Sequence, residues 1–291
     1  MLQHRDSALQ GPQSVAGIGL RAEHHEDMLL LRPKVGFLEI HAENYMGGGY
    51  APHILGRLRR DHELSVHGVG LAPGGAHELD HRHLYRLATL VERYEPFVVS
   101  EHLAWCGTDG TFLNDLLPIP YTEEALQLSV RHVSQIQDRL KRQILIENPS
   151  TYLSFVESVV PEGEFLAALA RESGCGLLCD VNNIHVSASN CGWDVAEYFH
   201  MLPEQAVKEL HVAGHAVNDA DGRRVLIDDH GGPVDDAVWD LYRTAVQRFP
   251  EARTLVEWDC NIPDLPVLVD EAHKADRVRN IALARHHALA A

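Results

Sequence analysis

The stretch Leu210–His215, LHVAGH, sets two histidines four residues apart. On a helix that spacing lets both bind a single metal ion. The residues between them read poorly as helix, because Val212 is β-branched and Gly214 is the weakest ordinary helix former. The run Val207–Ala213 comes after a proline and is mostly apolar, as a short buried strand is. Side chains alternate along a strand, so His211, Ala213 and His215 share one face. Two positions four apart on it lie roughly 13 Å from each other. One ion cannot hold both histidines unless the chain bends at Gly214, whereas two neighbouring ions can, with some bending. Read as a strand end, LHVAGH points to a sheet whose strand ends carry metal ligands.

Seven further runs read the same way: Val15–Arg21, Val35–Glu43, Leu64–Gly70, Phe97–Trp105, Gln143–Asn148, Gly176–Asn182 and Arg253–Asp259. Helical patterns separate them. His81–Tyr94 places Leu84, Leu87, Ala88, Leu90 and Val91 on one stripe. Thr122 followed by Glu123 and Glu124 is an N-cap with acids in the first turn, and Ala125–Leu140 continues it. Pro161–Glu172, Asp194–Met201, Asp235–Arg248 and Leu265–Ala288 fill the later gaps. Eight strands alternating with helices predict an α/β fold, a (β/α)8 TIM barrel, with a doubly wound sheet as the alternative. No Pro/Gly/Ser linker, low-complexity tract or internal repeat interrupts the 291 residues. A single domain over 1–291 is expected, with the barrel core over about 15–259 and a terminal helix over about 265–288.

Composition narrows the function classes. A formal charge of −17 argues against broad nucleic-acid binding, which needs basic patches. No apolar run approaches the roughly 20 residues of a membrane helix, and MLQHRDSALQ at the start lacks the apolar segment of a signal peptide. Five cysteines, an odd number without a CxxC, fit a reducing cytoplasm rather than a disulfide framework.

Histidine is abundant, with 20 residues, and many stand beside acids at the strand ends, where barrel enzymes carry their chemistry. Strand 2 ends in His41, Glu43 and Asn44. Strand 3 carries His67, and strand 4 ends with Glu101 and His102. Glu147 and Asn148 end strand 5, Asp180 and Asn182 strand 6, His211 and His215 strand 7, and Glu257 strand 8. The loop IDDHGGPV adds Asp228 and His230. Each residue alone has an ordinary structural role, as a core histidine or a helix cap. Six consecutive strands ending in nitrogen or oxygen donors are harder to explain that way. Glu147, Asp180, Asp228 and Glu257 facing one mouth would repel each other without cations. Two divalent ions would neutralise them, the histidines could hold a third, and Glu147, on the middle strand, is the candidate bridge. With no cysteine in the set, iron, manganese or zinc fit better than iron–sulfur or soft copper sites.

The motifs GIGLRAEH, FLEIHAENYM, SVHGVGLAPGG, SEHLAW, ILIENPSTY, CDVNNIHVSASN, LHVAGH, DDHGGPV and LVEWD occur in this order. Together they resemble the multinuclear non-haem iron-dependent oxidative enzymes, xylose-isomerase-like barrels that include the methanobactin and thiaglutamate biosynthesis oxidases. The resemblance spans about Gly17 to Asp259. It implies that Glu147 bridges irons and that Asp180, His211 and Glu257 complete one iron site. Asn182, His215, Asp228 and His230 would surround the neighbouring iron, and His67 and His102 a third. Glu147, Asp180, His211 and Glu257 are thereby the candidate catalytic residues, and Glu43, Asn44 and His185 the candidate substrate contacts. His185 stands where relatives are expected to carry tyrosine. The implied cofactor is two or three iron ions, a mixed-valent Fe(II)/Fe(III) set, with dioxygen as co-substrate. The implied substrate is a ribosomal precursor peptide with a leader, modified at cysteine, and the implied partner a separate small recognition protein. Three other readings stay open: a zinc-dependent hydrolase or phosphodiesterase of the apurinic-endonuclease kind, a metal-dependent sugar isomerase of similar fold, and a non-catalytic metal-binding protein.

Overall fold

Along the central strands an apolar residue alternates with a polar one, and the structure, a computed structural model, turns that alternation into two faces. It describes residues 14–108, 111–219 and 222–290. The amino-terminal MLQHRDSALQ, where a signal segment is not expected, lies outside the described residues. The strands are β1 (Ala16–Gly19), β2 (Leu38–His41), β3 (Leu64–Gly68), β4 (Val98–His102), β5 (Trp105–Thr108), β6 (Thr111–Leu117), β7 (Leu145–Glu147), β8 (Gly176–Asp180), β9 (Val207–Val212), β10 (Ala216–Asn218), β11 (Val225–Ile227) and β12 (Arg253–Val256). Eight of them close a parallel barrel in the order β1-β12-β9-β8-β7-β4-β3-β2. These eight are the eight expected from the sequence. The remaining four form two antiparallel hairpins, β5–β6 and β10–β11.

The helices are α1 (His25–Leu31), α2 (Tyr50–Leu58), α3 (His81–Tyr94), α4 (Glu123–Leu140), α5 (Glu162–Ser173), α6 (Val181–Cys191), α7 (Val195–Met201), α8 (Asp236–Arg248) and α9 (Leu265–Ala290). The stripe of α3 is buried as its spacing requires, and Asp80 caps it by accepting from the backbone N–H groups of Arg82 and His83. Thr122 caps α4 through the N–H of Ala125. The outward strand residues, such as Leu64, Val66, Leu210 and Val212, join the helices' apolar stripes in one buried cluster. Many of the inward residues are polar, such as Glu39, Ser65, His67, Glu209 and His211, beside Leu178 and Leu255 in the same register. His67 on β3 and His211 on β9 belong to strands that are not neighbours, yet their rings lie 5.6 Å apart across the interior. No helix among the described residues is long and apolar enough to cross a membrane.

Three sequence expectations are corrected. Strand 2 stops at His41, because Ala42–Tyr45 turns into a 3-10 helix. FVVSEHLAW is not one strand: β4 ends at His102 and β5 begins at Trp105. Asn182 does not end strand 6; it sits in the first turn of α6. There Asp180, the last residue of β8, caps α6 by accepting from the N–H of Asn183 at 2.6 Å. The expected strand runs on through Val181 to Asn182, but the cap and the turn decide the local conformation.

Glu162 opens α5 and is buried, its carboxylate accepting from Tyr121 Oη at 2.5 Å and Tyr198 Oη at 2.6 Å. Burial pushes its pKa up to about 7, against the pull of these hydrogen bonds. A raised folded pKa means that the stabilisation is complete below the ordinary carboxylate range and is lost as pH rises through about 7. Glu162→Gln keeps an acceptor for the tyrosines and removes the titration. Between pH 5 and 8 the wild type is therefore expected to lose roughly 3 kcal/mol more stability than the variant in urea unfolding. Equal losses would show that Glu162 does not titrate in this range.

Candidate metal centre

The β9 stretch that opened the question bends as soon as the strand ends. β9 runs to Val212, and Ala213–His215 carries no helix. Gly214 is required here: a Cβ on it would come within 2.4 Å of the Gly232 carbonyl oxygen. That close approach brings the loop with Asp228 and His230 beside His215. His230 itself has a φ of 45°, a left-handed conformation unusual for a side chain larger than glycine.

Three groups of donors follow one another around the barrel mouth. His67 Nε2 lies 3.2 Å from Glu147 Oε2, and His102 Nδ1 3.4 Å from the same oxygen. Glu147, Asp180 and His211 form a second group whose donor atoms lie within 4.8 Å of one another. Glu257 Oε2 joins it at 3.1 Å from His211 Nδ1. The third is a chain of contacts: His215 Nδ1 to Asn182 Oδ1 at 3.0 Å, Asn182 Nδ2 to Asp228 Oδ1 at 2.7 Å, and His230 Nε2 to Asp228 Oδ1 at 2.7 Å. His230 Nδ1 returns to Glu257 Oε2 at 3.4 Å. Glu147 thus stands between the first two groups, and Glu257 between the last two.

All ten candidate ligands are therefore contiguous. Of the three candidate substrate residues, His185 joins them and the other two do not. His185 packs its ring 5.0 Å from that of His215. Glu43 lines the cleft above the centre but belongs to a separate cluster with His83 and Glu101. Asn44 is exposed and lines no part of that cleft.

Several residues of the site were not singled out in the sequence. Glu39 Oε1 lies 3.3 Å from His211 Nε2, and Glu39 Oε2 accepts from Ser65 Oγ at 2.7 Å. Ser100 Oγ lies 2.7 Å from His67 Nδ1. Asn183 donates to Glu147 Oε1 at 3.3 Å. Arg21, buried, donates through Nη2 to Glu257 Oε1 at 3.3 Å and through Nε to Asp259 Oδ1 at 3.0 Å. Period-2 alternation was the available signal for Glu39, two residues before His41 on β2, as it was for Ser65 before His67. Arg21, Asn183 and Asp259 follow strand ends and carry no such signal.

Charge and burial conflict throughout the centre. Burial drives the Glu147 carboxyl well above the ordinary range, reinforced by Asp180 and Glu257 against the pull of His211 and His230. Burial raises Asp180 to about 6. It holds His67 well below the usual imidazole value, with His102 adding to the effect, and brings His102 down to about 4. For His211 burial is outweighed by Glu39 and Glu257, and for His230 by Asp228 and Glu257, so both are raised well above normal.

Whether metal ions fit is decided by the polar atoms left over. Glu147 Oε2, Asp180 Oδ2, His102 Nδ1, His211 Nε2 and His230 Nε2 are buried and have no hydrogen-bond partner among the described residues. Three of the five, Glu147 Oε2, His102 Nδ1 and His211 Nε2, lie 3.2–3.4 Å from an opposite donor or acceptor. Ligands on one ion have this relation, since bonds of ~2.1 Å at 90–109° separate them by roughly 3.0–3.4 Å. The residues fit a centre of more than one hard or borderline divalent ion.

Above it opens a cleft of about 620 Å³, whose wall includes His102, Asn183 and Asp228 together with Phe112, Leu113 and Leu116 of β6 and Tyr152. Tyr152 Oη accepts from the backbone N–H of Asp228 at 2.8 Å and so holds the Asp228 loop against the cleft.

A model of the family described as RiPP precursor modification enzyme MbnB/TglH/ChrH matches residues 15–280. The chain is 46% identical over 268 residues to a UPF0276 protein of Paraburkholderia phytofirmans, covering 91% of this chain and 87% of that one. It is 49% identical over 278 residues to a UPF0276 protein of Bordetella bronchiseptica, covering 95% of each. Among solved structures it is similar to D-psicose 3-epimerase from Clostridium cellulolyticum (TM-score 0.61, 12% identity, 92% of this chain and 99% of that one). It is also similar to endonuclease IV from Thermus thermophilus (TM-score 0.57, 16% identity, 93% and 99%). At such identities the likeness speaks for the fold alone, a xylose-isomerase-like TIM barrel.

Proposed function

The chain belongs to the RiPP precursor modification enzymes of the MbnB/TglH/ChrH family, and on that premise we propose that it oxidises a side chain of a ribosomally made precursor peptide, cysteine in the first place, using iron and dioxygen. The observation that carries the reading is the set of five buried, unpartnered donor atoms beside a cleft large enough for a peptide side chain and its flanking backbone. Glu147, Asp180, His211 and Glu257 would hold one iron, with Glu147 shared. Asn182, His215, Asp228 and His230 would hold the next, and His67 and His102 a third with Glu147. Two or three mixed-valent iron ions would supply the one-electron chemistry with dioxygen that these side chains lack.

The chain's own residues have three tasks in this reading. Arg21, Ser100 and Asn183 hold Glu257, His67 and Glu147 in fixed orientations through hydrogen bonds. Phe112, Leu113, Leu116 and Tyr152 give the cleft an apolar wall that excludes water once a peptide fills it. Glu257, whose carboxyl is held well below the ordinary range by His230 and by hydrogen bonds from His211 despite burial, stays ionised and keeps its oxygens available as ligands. A leader segment would bind away from the metals, with the help of a separate small partner protein, and the reaction would take place in the cytoplasm.

The test is to incubate iron-loaded enzyme with the precursor peptide and partner protein encoded beside it, in the presence of oxygen, and to follow the peptide by tandem mass spectrometry. A mass change confined to a cysteine, absent when that cysteine is serine, is the expected result. Unchanged peptide alongside turnover of a free metabolite, or full activity with zinc alone, would overturn the proposal.

A further inference from the structure

A second donor cluster lies outside the ten ligands. Glu101 is the penultimate residue of β4, so its side chain points away from the interior that its neighbour His102 enters. It is buried against β3 and α3, and its Oε1 has no hydrogen-bond partner in the chain. Glu43, after β2, and His83, in the first turn of α3, bring their donor atoms within 4.8 Å of it and of each other. His83 Nε2 is 3.0 Å from Glu43 Oε1, yet it too is buried without a hydrogen bond. The backbone makes room for this cluster. A Cβ on Gly68 would come within 2.0 Å of Glu101 Oε1, and one on Gly70 within 2.9 Å of the His83 ring and 3.2 Å of Glu43 Oε1. Two glycines, two apart in sequence, thus leave space for two carboxylates and an imidazole.

We propose that Glu43, His83 and Glu101 form a separate site for a divalent first-row cation at the rim of the peptide cleft. Two carboxylates and one imidazole are a hard-to-borderline set that suits Zn²⁺ or Mn²⁺ and offers nothing to soft ions. The 3.0 Å between His83 Nε2 and Glu43 Oε1 matches the edge of a coordination polyhedron with bonds of ~2.1 Å. Three protein ligands leave further coordination positions free, and Glu43 and His83 both line the cleft. An ion here would therefore face a bound peptide and offer an anchor for a carboxylate of the substrate. Its ligands are not shared with the principal centre.

Metal-free full-length protein dialysed against excess Zn²⁺ and freed of unbound metal is the test, with ions per chain read by elemental analysis. His83→Ala is expected to hold about one ion fewer than wild type, and Glu101→Gln the same. Glu147→Gln is expected to lose ions from the principal centre and to keep this one, so that combining it with His83→Ala lowers the count again. His83 is partly exposed, so its variant tests the site even if Glu101→Gln fails to fold, and circular dichroism checks both. The same zinc content in wild type and folded His83→Ala would overturn the proposal and leave a carboxyl pair with a neighbouring histidine as the account of the cluster. Neither outcome bears on peptide oxidation, which the assay above reads separately.

Discussion

Glu147→Gln is expected to abolish peptide modification and to release more metal than His67→Ala. Glu147 is fully buried. Its Oε1 accepts from Asn183, while Oε2 faces His67 and His102 with no hydrogen bond. The glutamine is isosteric, and its oxygen can still accept from Asn183. What disappears is a negative charge placed between two donor groups. Loss of an outer partner of a metal ligand typically lowers activity or affinity 10–100-fold. A carboxylate serving two ions should exceed that, so kcat/KM is expected to fall by at least ~100-fold, since the residual positioning acts on an incomplete centre. His67 contributes one nitrogen to one group, so its removal should deplete only that ion. Elemental analysis and tandem mass spectrometry of the two variants measure both effects. Metal and turnover retained in Glu147→Gln would remove this residue from the bridging position.

Stripping the metal is expected to end turnover, destabilise the fold and invert its dependence on pH. Loaded anaerobically, the protein should carry two or three irons per chain. An ion present at a thousand times its dissociation constant stabilises the fold by about 4 kcal/mol. Its removal should therefore lower Tm on the order of 10 °C in a chain of this size. The pH effect follows from the protons that replace the ions. Asp180 is raised to about 6 by burial, Glu147 well above its ordinary range, and His211 and His230 well above theirs. Each such group stabilises the metal-free fold fully below its unfolded pKa and loses that contribution as pH rises through its folded pKa. His67 and His102, lowered by burial, act in the opposite sense as pH falls. The four raised groups outnumber them, so metal-free protein should be more stable at pH 5 than at pH 7.5. Metal binding must displace the same protons, so affinity should rise with pH by up to about tenfold per unit for each proton released. Thermal melts of both forms across this range measure the inversion. A melting temperature unaffected by chelation would detach the buried donors from any ion.

The barrel was legible because its eight strands each carry an apolar run and are separated by helices with clear stripes or caps, as at Thr122 and along His81–Tyr94. The donor ring was legible for a related reason: residues such as His67, Glu147 and His211 interrupt apolar runs at their ends. What escaped were features whose signal is not hydrophobic. The hairpins β5–β6 and β10–β11 have too little apolar periodicity to stand apart from the strands before them. Helix α6 begins with β-branched residues, and only the side chain of Asp180, folded back onto the N–H of Asn183, shows that the chain has turned. Asn44 looked equivalent to Glu43 in sequence, yet the 3-10 turn after His41 rotates one into the cleft wall and the other into solvent. Glu39 was passed over because its neighbours Leu38 and Ile40 are apolar. In a barrel those neighbours pack under the helices and leave Glu39 inside.

The seam of the barrel has a consequence for how the protein is made. The first strand, β1, pairs with the last, β12, through Ala16–Thr254, Gly17–Leu255 and Ile18–Val256. Glu257 follows β12 directly, and Arg21, which holds it, follows β1. The first and last strands of the barrel therefore meet at a donor that two of the three groups share. On the ribosome, residues 16–21 wait through the six intervening barrel strands before their partner appears. A nascent chain that stops short of β12 has neither a closed cylinder nor Glu257. Redox-active ions would then find no complete binding place on a chain not yet extended past Glu257, and loading would be confined to molecules in which β12 has been made.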